Sequence, residues 1–254
     1  MTLLITDIGS SGIVFAADSA ITLPDHKQLS QPKIVKLERL NAAIGYYGVA
    51  AVNGGPMYDW LESLSRHTSA GDLEAVAHEL VDKLKPWPSL DSTGCGTGFH
   101  LAGYIEVEER MLPTFWHIWN HGGVDVGYRT TGLGFRATED FLSRVPSEYI
   151  PNDLDAFFAQ TGNRVYRNGT LKPYVSLANC LYPFFKELWQ TPGFPAPRSL
   201  PDWAWHYRFQ VDEIKRVYQI LRKKRESPIG HETKVVMIYP DGRIEDLPSH
   251  RPKD

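Results

Sequence analysis

"TLLITDIGSSGIVFAAD", residues 2–18, decides how this chain is read. Apolar and β-branched residues flank Gly9-Ser10-Ser11-Gly12, and a Gly/Ser turn between two such runs is a hairpin signal. A threonine stands directly behind Met1. With Met1 removed, Thr2 gains a free amine beside its own hydroxyl, so one residue holds a nucleophile and its base. An α-amine has a pKa near ~8, so a good fraction of it is neutral and can accept the hydroxyl proton directly or through a water.

Working outward, "KIVKLERLNAAIGYYGVAA" (33–51) reads as a second strand pair with its turn near Glu38–Asn41, so the first fifty residues form a β-meander. Met57, Trp60, Leu61 and Leu64 then recur at helical spacing. Leu73, Val76, Ala77, Leu80 and Leu84 repeat the pattern, with Asp72 as N-cap and Pro86 and Pro88 as terminators. "TGFHLAGYIEVEERMLPTFWHIWN" (97–120) returns to period two, with a turn at Glu108–Arg110. A helix is expected over Thr138–Arg144, and helices with Pro-rich breaks over roughly 150–225. Asn168-Gly169-Thr170 reads as a turn, and the closing hairpin turns at Asp241-Gly242. Strands, two helices, strands, helices, strands: this order suggests an α+β chain with helices stacked on antiparallel sheets.

The bulk numbers narrow the function. A chain of 254 residues, 42% hydrophobic, can bury one sizeable core, so residues 2–254 are expected to form a single domain. The formal net charge of −3 gives no electrostatic signature for nucleic acid. The cation-rich run "IKRVYQILRKKRE" reads as a solvated helix face. Two cysteines, Cys95 and Cys180, make no disulfide framework and fit a reducing compartment. "GIVFAA" is too short for a signal core or a membrane span, so a cytoplasmic protein without membrane contact is expected. His100, His117 and His121 have no H-E-x-x-H or cysteine pair beside them, and "TGCGTG" (93–98) lacks the lysine of a phosphate loop. No metal and no cofactor is expected.

Three further residues could serve Thr2. Asp18 follows the strand "GIVFAA", where a carboxylate can orient an ammonium group through a charge-assisted hydrogen bond. Lys33 opens the apolar strand "KIVKL". Apolar neighbours disfavour its charged form, an adjacent carboxylate favours it, and a nearby ammonium would lower the pKa of the threonine groups. Gly48 follows a strand, where a glycine lets the backbone approach a ligand and offer an N–H to a developing oxyanion.

In this order and at these separations, Thr2, "GIVFAADSA" with Asp18, "KIVKL" with Lys33 and "GYYGVAA" with Gly48 resemble one family. The chain looks like a proteasome β-subunit or a bacterial proteasome-like peptidase, within the N-terminal-nucleophile hydrolases. "TTGLGF" (130–135) and "GHETKVVMIYPDGRIEDL" (230–247) resemble later segments of that family. The resemblance covers residues 2–85, 98–145 and 226–247 and leaves out roughly 150–210. It implies a four-layer αββα sandwich, with residues 150–225 as an extra helical insertion. It implies a threonine-type peptidase: Thr2 as nucleophile, Gly48 as oxyanion donor, and Asp18 and Lys33 tuning the threonine. Glu226 and Ser227 would support the amine, and Ile21, Tyr46 and Ala50 would line a substrate pocket. The implied partners are a peptide or unfolded-protein substrate and further copies of the chain in a homo-oligomeric ring; whether an ATPase feeds the ring is left open by the sequence. The chain departs from the family at Ala20, where an arginine is common, and in "TTGLGF", which lacks the expected serine. Those departures keep two alternatives open, a catalytically silent ring subunit and a small-amide hydrolase of the same fold.

Overall fold

The computed structural model describes residues 3–22, 28–87, 96–107, 109–120, 134–142, 153–169, 171–221 and 232–250. The opening hairpin forms as its sequence dictates, with β1 (Leu3–Gly9) and β2 (Gly12–Asp18) joined through Ser10-Ser11. Two short strands, β3 (Ala20–Thr22) and β4 (Gln28–Ser30), pair with each other. Next come β5 (Ile34–Leu37) and β6 (Ala42–Tyr47), then the two-residue strands β7 (Ala51–Val52) and β8 (Gly55–Pro56). Helices α1 (Met57–His67) and α2 (Leu73–Leu84) follow, the second capped by Asp72, whose side chain accepts from the Ala75 amide. Two long strands, β9 (Gly98–Val107) and β10 (Arg110–Trp119), precede β11 (Arg136–Glu139). The second half supplies α3 (Leu154–Thr161), β12 (Arg164–Gly169), α4 (Leu171–Leu188), α5 (Leu200–Leu221), β13 (Thr233–Ile238) and β14 (Ile244–Asp246).

The strands build two five-stranded antiparallel sheets. The first runs β12-β1-β2-β13-β14 and the second β11-β10-β9-β6-β5. Their apolar faces meet. Leu4, Ile8, Ile13 and Phe15 of the first sheet pack with Ala43, Ala102, Tyr104 and Phe115 of the second. Gly45 lets the sheets approach, since a Cβ there would stand 2.6 Å from Leu4 Cδ1. The alternate residues Leu3, Ile5, Val14 and Ala16 pack against Leu200, Ala204, Tyr207, Val211 and Ile214 of α5. The second sheet's other face packs Ile44, Phe99, Leu101 and Ile118 on Met57, Leu61, Val76 and Leu80 of α1 and α2. Burial on both faces explains why β1 and β2 read as continuous apolar runs rather than alternating ones. Each Leu, Ile or Phe so buried contributes about 1.5–3 kcal/mol from area removed from water.

The chain is therefore a mixed α/β fold with antiparallel sheets and, among the described residues, five α-helices. Two local expectations are corrected. Thr138 and Glu139, expected to open a helix, lie in β11 and pair with His117 and Trp116. The exposed β10 edge selects a strand where Arg136–Glu139 is too short for its own pattern to decide. The stretch expected to be helices with Pro-rich breaks contains β12, so Asn168 and Gly169, expected in a turn, end a strand that pairs with β1; Thr170 lies outside the described residues. The partner of β12 lies far earlier in the sequence, and no local period reveals it.

Candidate active site

Asp18 stands where β2 ends and the chain swings into β3. Its carboxylate is fully buried and gathers three donors. Oδ1 accepts from the Leu3 amide at 2.9 Å; Oδ2 accepts from the Ala20 amide at 3.1 Å and from Lys33 Nζ at 3.0 Å. Lys33 is 1% exposed and immediately precedes β5. Burial lowers its pKa, and the neighbouring Asp18 carboxylate pulls the other way through charge and hydrogen bond. A buried ion pair survives only when each charge is matched and its remaining lone pairs are bonded, and this carboxylate meets that condition. Leu3 follows Thr2 in the sequence, so Asp18 fixes the start of β1 next to the buried ammonium.

Gly48 lies at the end of β6, two residues beyond Tyr46, whose amide donates to the Lys33 carbonyl at 3.0 Å. Its φ of +91° is one that side-chain-bearing residues rarely adopt. The site also has no room for a side chain, because a Cβ at 48 would meet the Gly96 carbonyl oxygen and sit 2.8 Å from Thr97 Oγ1. The next amide, of Val49, donates to Thr97 Oγ1 at 3.0 Å. Thr97 is tied in turn to Asn120. Its N–H donates to Asn120 Oδ1 at 2.8 Å, and the Asn120 N–H donates back to the Thr97 carbonyl at 3.2 Å.

The structure thus brings Asp18 and Lys33 into contact and links Lys33 through Tyr46 to the strand that delivers Gly48. Thr2, Glu226 and Ser227 lie outside the described residues. Of the residues expected around a pocket, Ile21 is buried on β3. Tyr46 is buried in the core against α1 and α2, its hydroxyl donating to the Pro32 carbonyl at 3.3 Å; burial pushes its phenol pKa up. Ala50 is half-buried, and its carbonyl accepts from the Met57 amide. Two clefts of about 430 and 440 Å³ lie elsewhere. One is beside Tyr104, Arg110, Leu112, Asp153 and Phe158, the other between α4 and α5 beside Phe185, Trp189, Phe194 and Trp205.

Among the described residues, no group of three or more His, Cys, Asp or Glu is placed to hold a metal. His100 and His117 are packing groups. Asn168 Oδ1 accepts from His100 Nε2 at 2.6 Å, which assigns the proton to Nε2 and leaves Nδ1 to accept from the Thr6 hydroxyl at 2.9 Å. The Tyr47 hydroxyl bonds His117 Nε2 at 2.9 Å. Burial lowers the two imidazoles to about 4 and about 3, so both are neutral at physiological pH. Sequence reasoning missed Thr97 and Asn120. Thr97 lies in the glycine-rich "TGCGTG", which reads on sequence only as a failed phosphate loop, and Asn120 sits in no motif; their relation to Gly48 exists only once β6, β9 and β10 are side by side.

No family model matches this sequence, and no curated protein matches it either. Solved structures do match, by fold. The Gly-1 mutant of Anbu from Hyphomicrobium sp. strain MC1 superposes with a TM-score of 0.54 at 16% identity, over 98% of this chain and 88% of that one. Anbu from Yersinia bercovieri, described as an ancestral β-subunit, gives 0.55 at 13% identity, over 97% and 87%. Another Anbu structure from Hyphomicrobium sp. strain MC1 gives 0.54 at 15% identity, over 97% and 88%. This corrects the assignment to proteasome β-subunits or bacterial proteasome-like peptidases that the motifs suggested. These three structural neighbours are Anbu, and at 13–16% identity the likeness is one of fold. The physical reason lies in the motifs themselves, because the apolar run before Asp18 is doubly buried core and Gly48 is demanded by backbone geometry. Such features report architecture before lineage, and the chain has a proteasome-like fold of the kind seen in Anbu.

Proposed function

We propose that this chain is a hydrolase in which loss of Met1 frees Thr2 to act as an N-terminal nucleophile that cleaves peptide bonds. The observation that carries the reading is the buried Asp18–Lys33 pair, whose carboxylate also holds the amide of Leu3, the residue joined to Thr2. In this mechanism the Thr2 hydroxyl gives its proton to the Thr2 amine and its oxygen adds to the scissile carbonyl. The Gly48 N–H bonds the oxyanion. Collapse expels the amine half of the substrate, which takes the proton, and leaves an ester on Thr2. A water then hydrolyses the ester, releasing the acid and restoring the hydroxyl. The Lys33 ammonium stabilises negative charge near the threonine and Asp18 fixes that ammonium. Glu226 and Ser227 assist the amine, and Ile21, Tyr46 and Ala50 border the substrate.

The rest of the proposal concerns assembly. The two facing sheets with α1 and α2 on one side and α5 on the other are read as the four layers of an αββα sandwich in one domain; β12 and α5 belong to those layers, so the helical insertion expected over 150–225 is reduced to α3 and α4. The chain works without a cofactor in the cytoplasm, as a homo-oligomeric ring that admits peptides or unfolded chains, with or without an ATPase. Ala20 favours a second reading, a catalytically silent ring subunit, because the position after Ser19 supplies no cation to the aspartate.

The test begins with the intact mass of the untagged protein. Loss of one methionine is expected, together with hydrolysis of fluorogenic peptide amides. Thr2→Ala is expected to lower kcat by about a thousandfold or more while particle size stays the same. Activity retained in Thr2→Ala removes Thr2 from the mechanism, and a retained Met1 leaves the silent subunit as the better reading.

A further inference from the structure

We propose that Thr97 is a positioning residue for the Gly48 N–H, an inference that rests on the oxyanion role given to Gly48 above. Two peptide planes meet at Gly48. The Tyr47–Gly48 plane continues β6; the Gly48–Val49 plane leaves the strand at a φ of +91°. Glycine is required there because backbone atoms of Gly96 and Thr97 fill the space of a side chain. Glycine also visits positive and negative φ with similar ease, so the residue that fits is the one that defines the turn least. Thr97 supplies the missing definition. Its Oγ1 accepts the Val49 N–H at 3.0 Å and pins the second plane; with the first plane carried by β6, whose Tyr47 pairs with Gly98, the two rotations left at Gly48 are bounded from both ends. The same bond occupies the Val49 N–H, so that donor does not compete for the oxyanion. Thr97 is itself fully buried and clamped from both sides of its backbone by Asn120, so the pin has a rigid foundation. A preorganised donor stabilises developing charge without moving during the reaction, and a mobile one does not.

The test compares wild type with Thr97→Val, which keeps the shape and loses the acceptor, and with Thr97→Ser, which keeps the acceptor. Each is measured on one fluorogenic peptide amide and one peptide aldehyde, which takes up the threonine O–H across its C=O as a hemiacetal. Thr97→Val is expected to lower kcat by about 10- to 100-fold with KM changed by less than about twofold, and to weaken the aldehyde by a similar factor. Thr97→Ser is expected to restore both. Should Thr97→Val not fold, Thr97→Ala against Thr97→Ser answers the same question. A lower melting temperature with kcat per folded site and aldehyde affinity unchanged makes Thr97 merely structural and overturns the inference alone. Wild-type protein whose turnover does not depend on Thr2 overturns the mechanism beneath, and the inference falls with it.

Discussion

Asp18 and Asp7 sit on the same hairpin, and both carboxylates are shut away from water. Their surroundings differ. Asp18 receives two backbone amides and an ammonium group. Asp7, in the middle of β1, receives the Asn163 side-chain amide at 2.7 Å, with the Tyr207 hydroxyl and the Arg167 charge as weaker support. Burial outweighs that support and raises the Asp7 pKa from its ordinary 3.8 to about 7. Equal burial therefore comes with two different sets of partners. What separates them is the number and charge of the donors, and only the better-supplied carboxylate lies at the end of β2, beside the candidate chemistry.

The largest expected effect is at Asp18. Asp18→Asn leaves the Lys33 ammonium buried without its counter-charge and should cost about 3–5 kcal/mol of stability in urea unfolding. Adding Lys33→Met to that variant should recover most of the loss while turnover stays abolished. A cost under about 1 kcal/mol for Asp18→Asn would mean that the pair is not tightly matched, and the contrast with Asp7 would collapse. At Asp7 the sign reverses. Its folded pKa lies above its unfolded one, so the folded state binds the proton more tightly, and stability falls as pH rises from about 4 to about 7. The loss over that window should be on the order of a few kcal/mol. Asp7→Asn keeps an acceptor for Asn163, so it should flatten the pH dependence and leave the protein more stable than wild type at pH 7.5. Unfolding curves at pH 5 and 7.5 decide this, and an unchanged slope would remove Asp7 as its source. Asp72 supplies the lower end of the scale as an exposed carboxylate with one amide partner. Asp72→Ala should cost about 1 kcal/mol, the ordinary worth of an N-cap, with no change in turnover.

Much of this was legible in the sequence, for reasons that are local. The β1–β2 hairpin, α1, α2 with its Asp72 cap and the closing β13–β14 hairpin are each announced by a period and a turn signal within a short window. Asp18 and Lys33 were also found, and their contact is observed at 3.0 Å. What stayed hidden depends on partners distant in the chain. Strand β12 has mixed exposure and ends in Asn-Gly, which reads as a turn until β1 is beside it. Strand β11 is four residues of no clear period that pair because β10 offers an edge. Asp7 looks like one polar residue in an apolar strand, and its state is set by Asn163 and Tyr207 from the other half of the molecule.

The two sheets also differ in when they can exist. Every strand of the second sheet is contained in residues 34–139. The first sheet has its hairpin at residues 3–18, but the strands on either side, β12 and β13, begin at Arg164 and Thr233. During synthesis the opening hairpin thus emerges early with both edges bare, apolar on two faces, and must wait for most of the polypeptide. Such a segment is an invitation to wrong pairing. Its completion closes loops of high contact order, a slow class of folding event. The candidate catalytic end of the molecule is therefore made well before the strands that complete it, and holding chaperones should raise the yield of folded protein more than faster synthesis does.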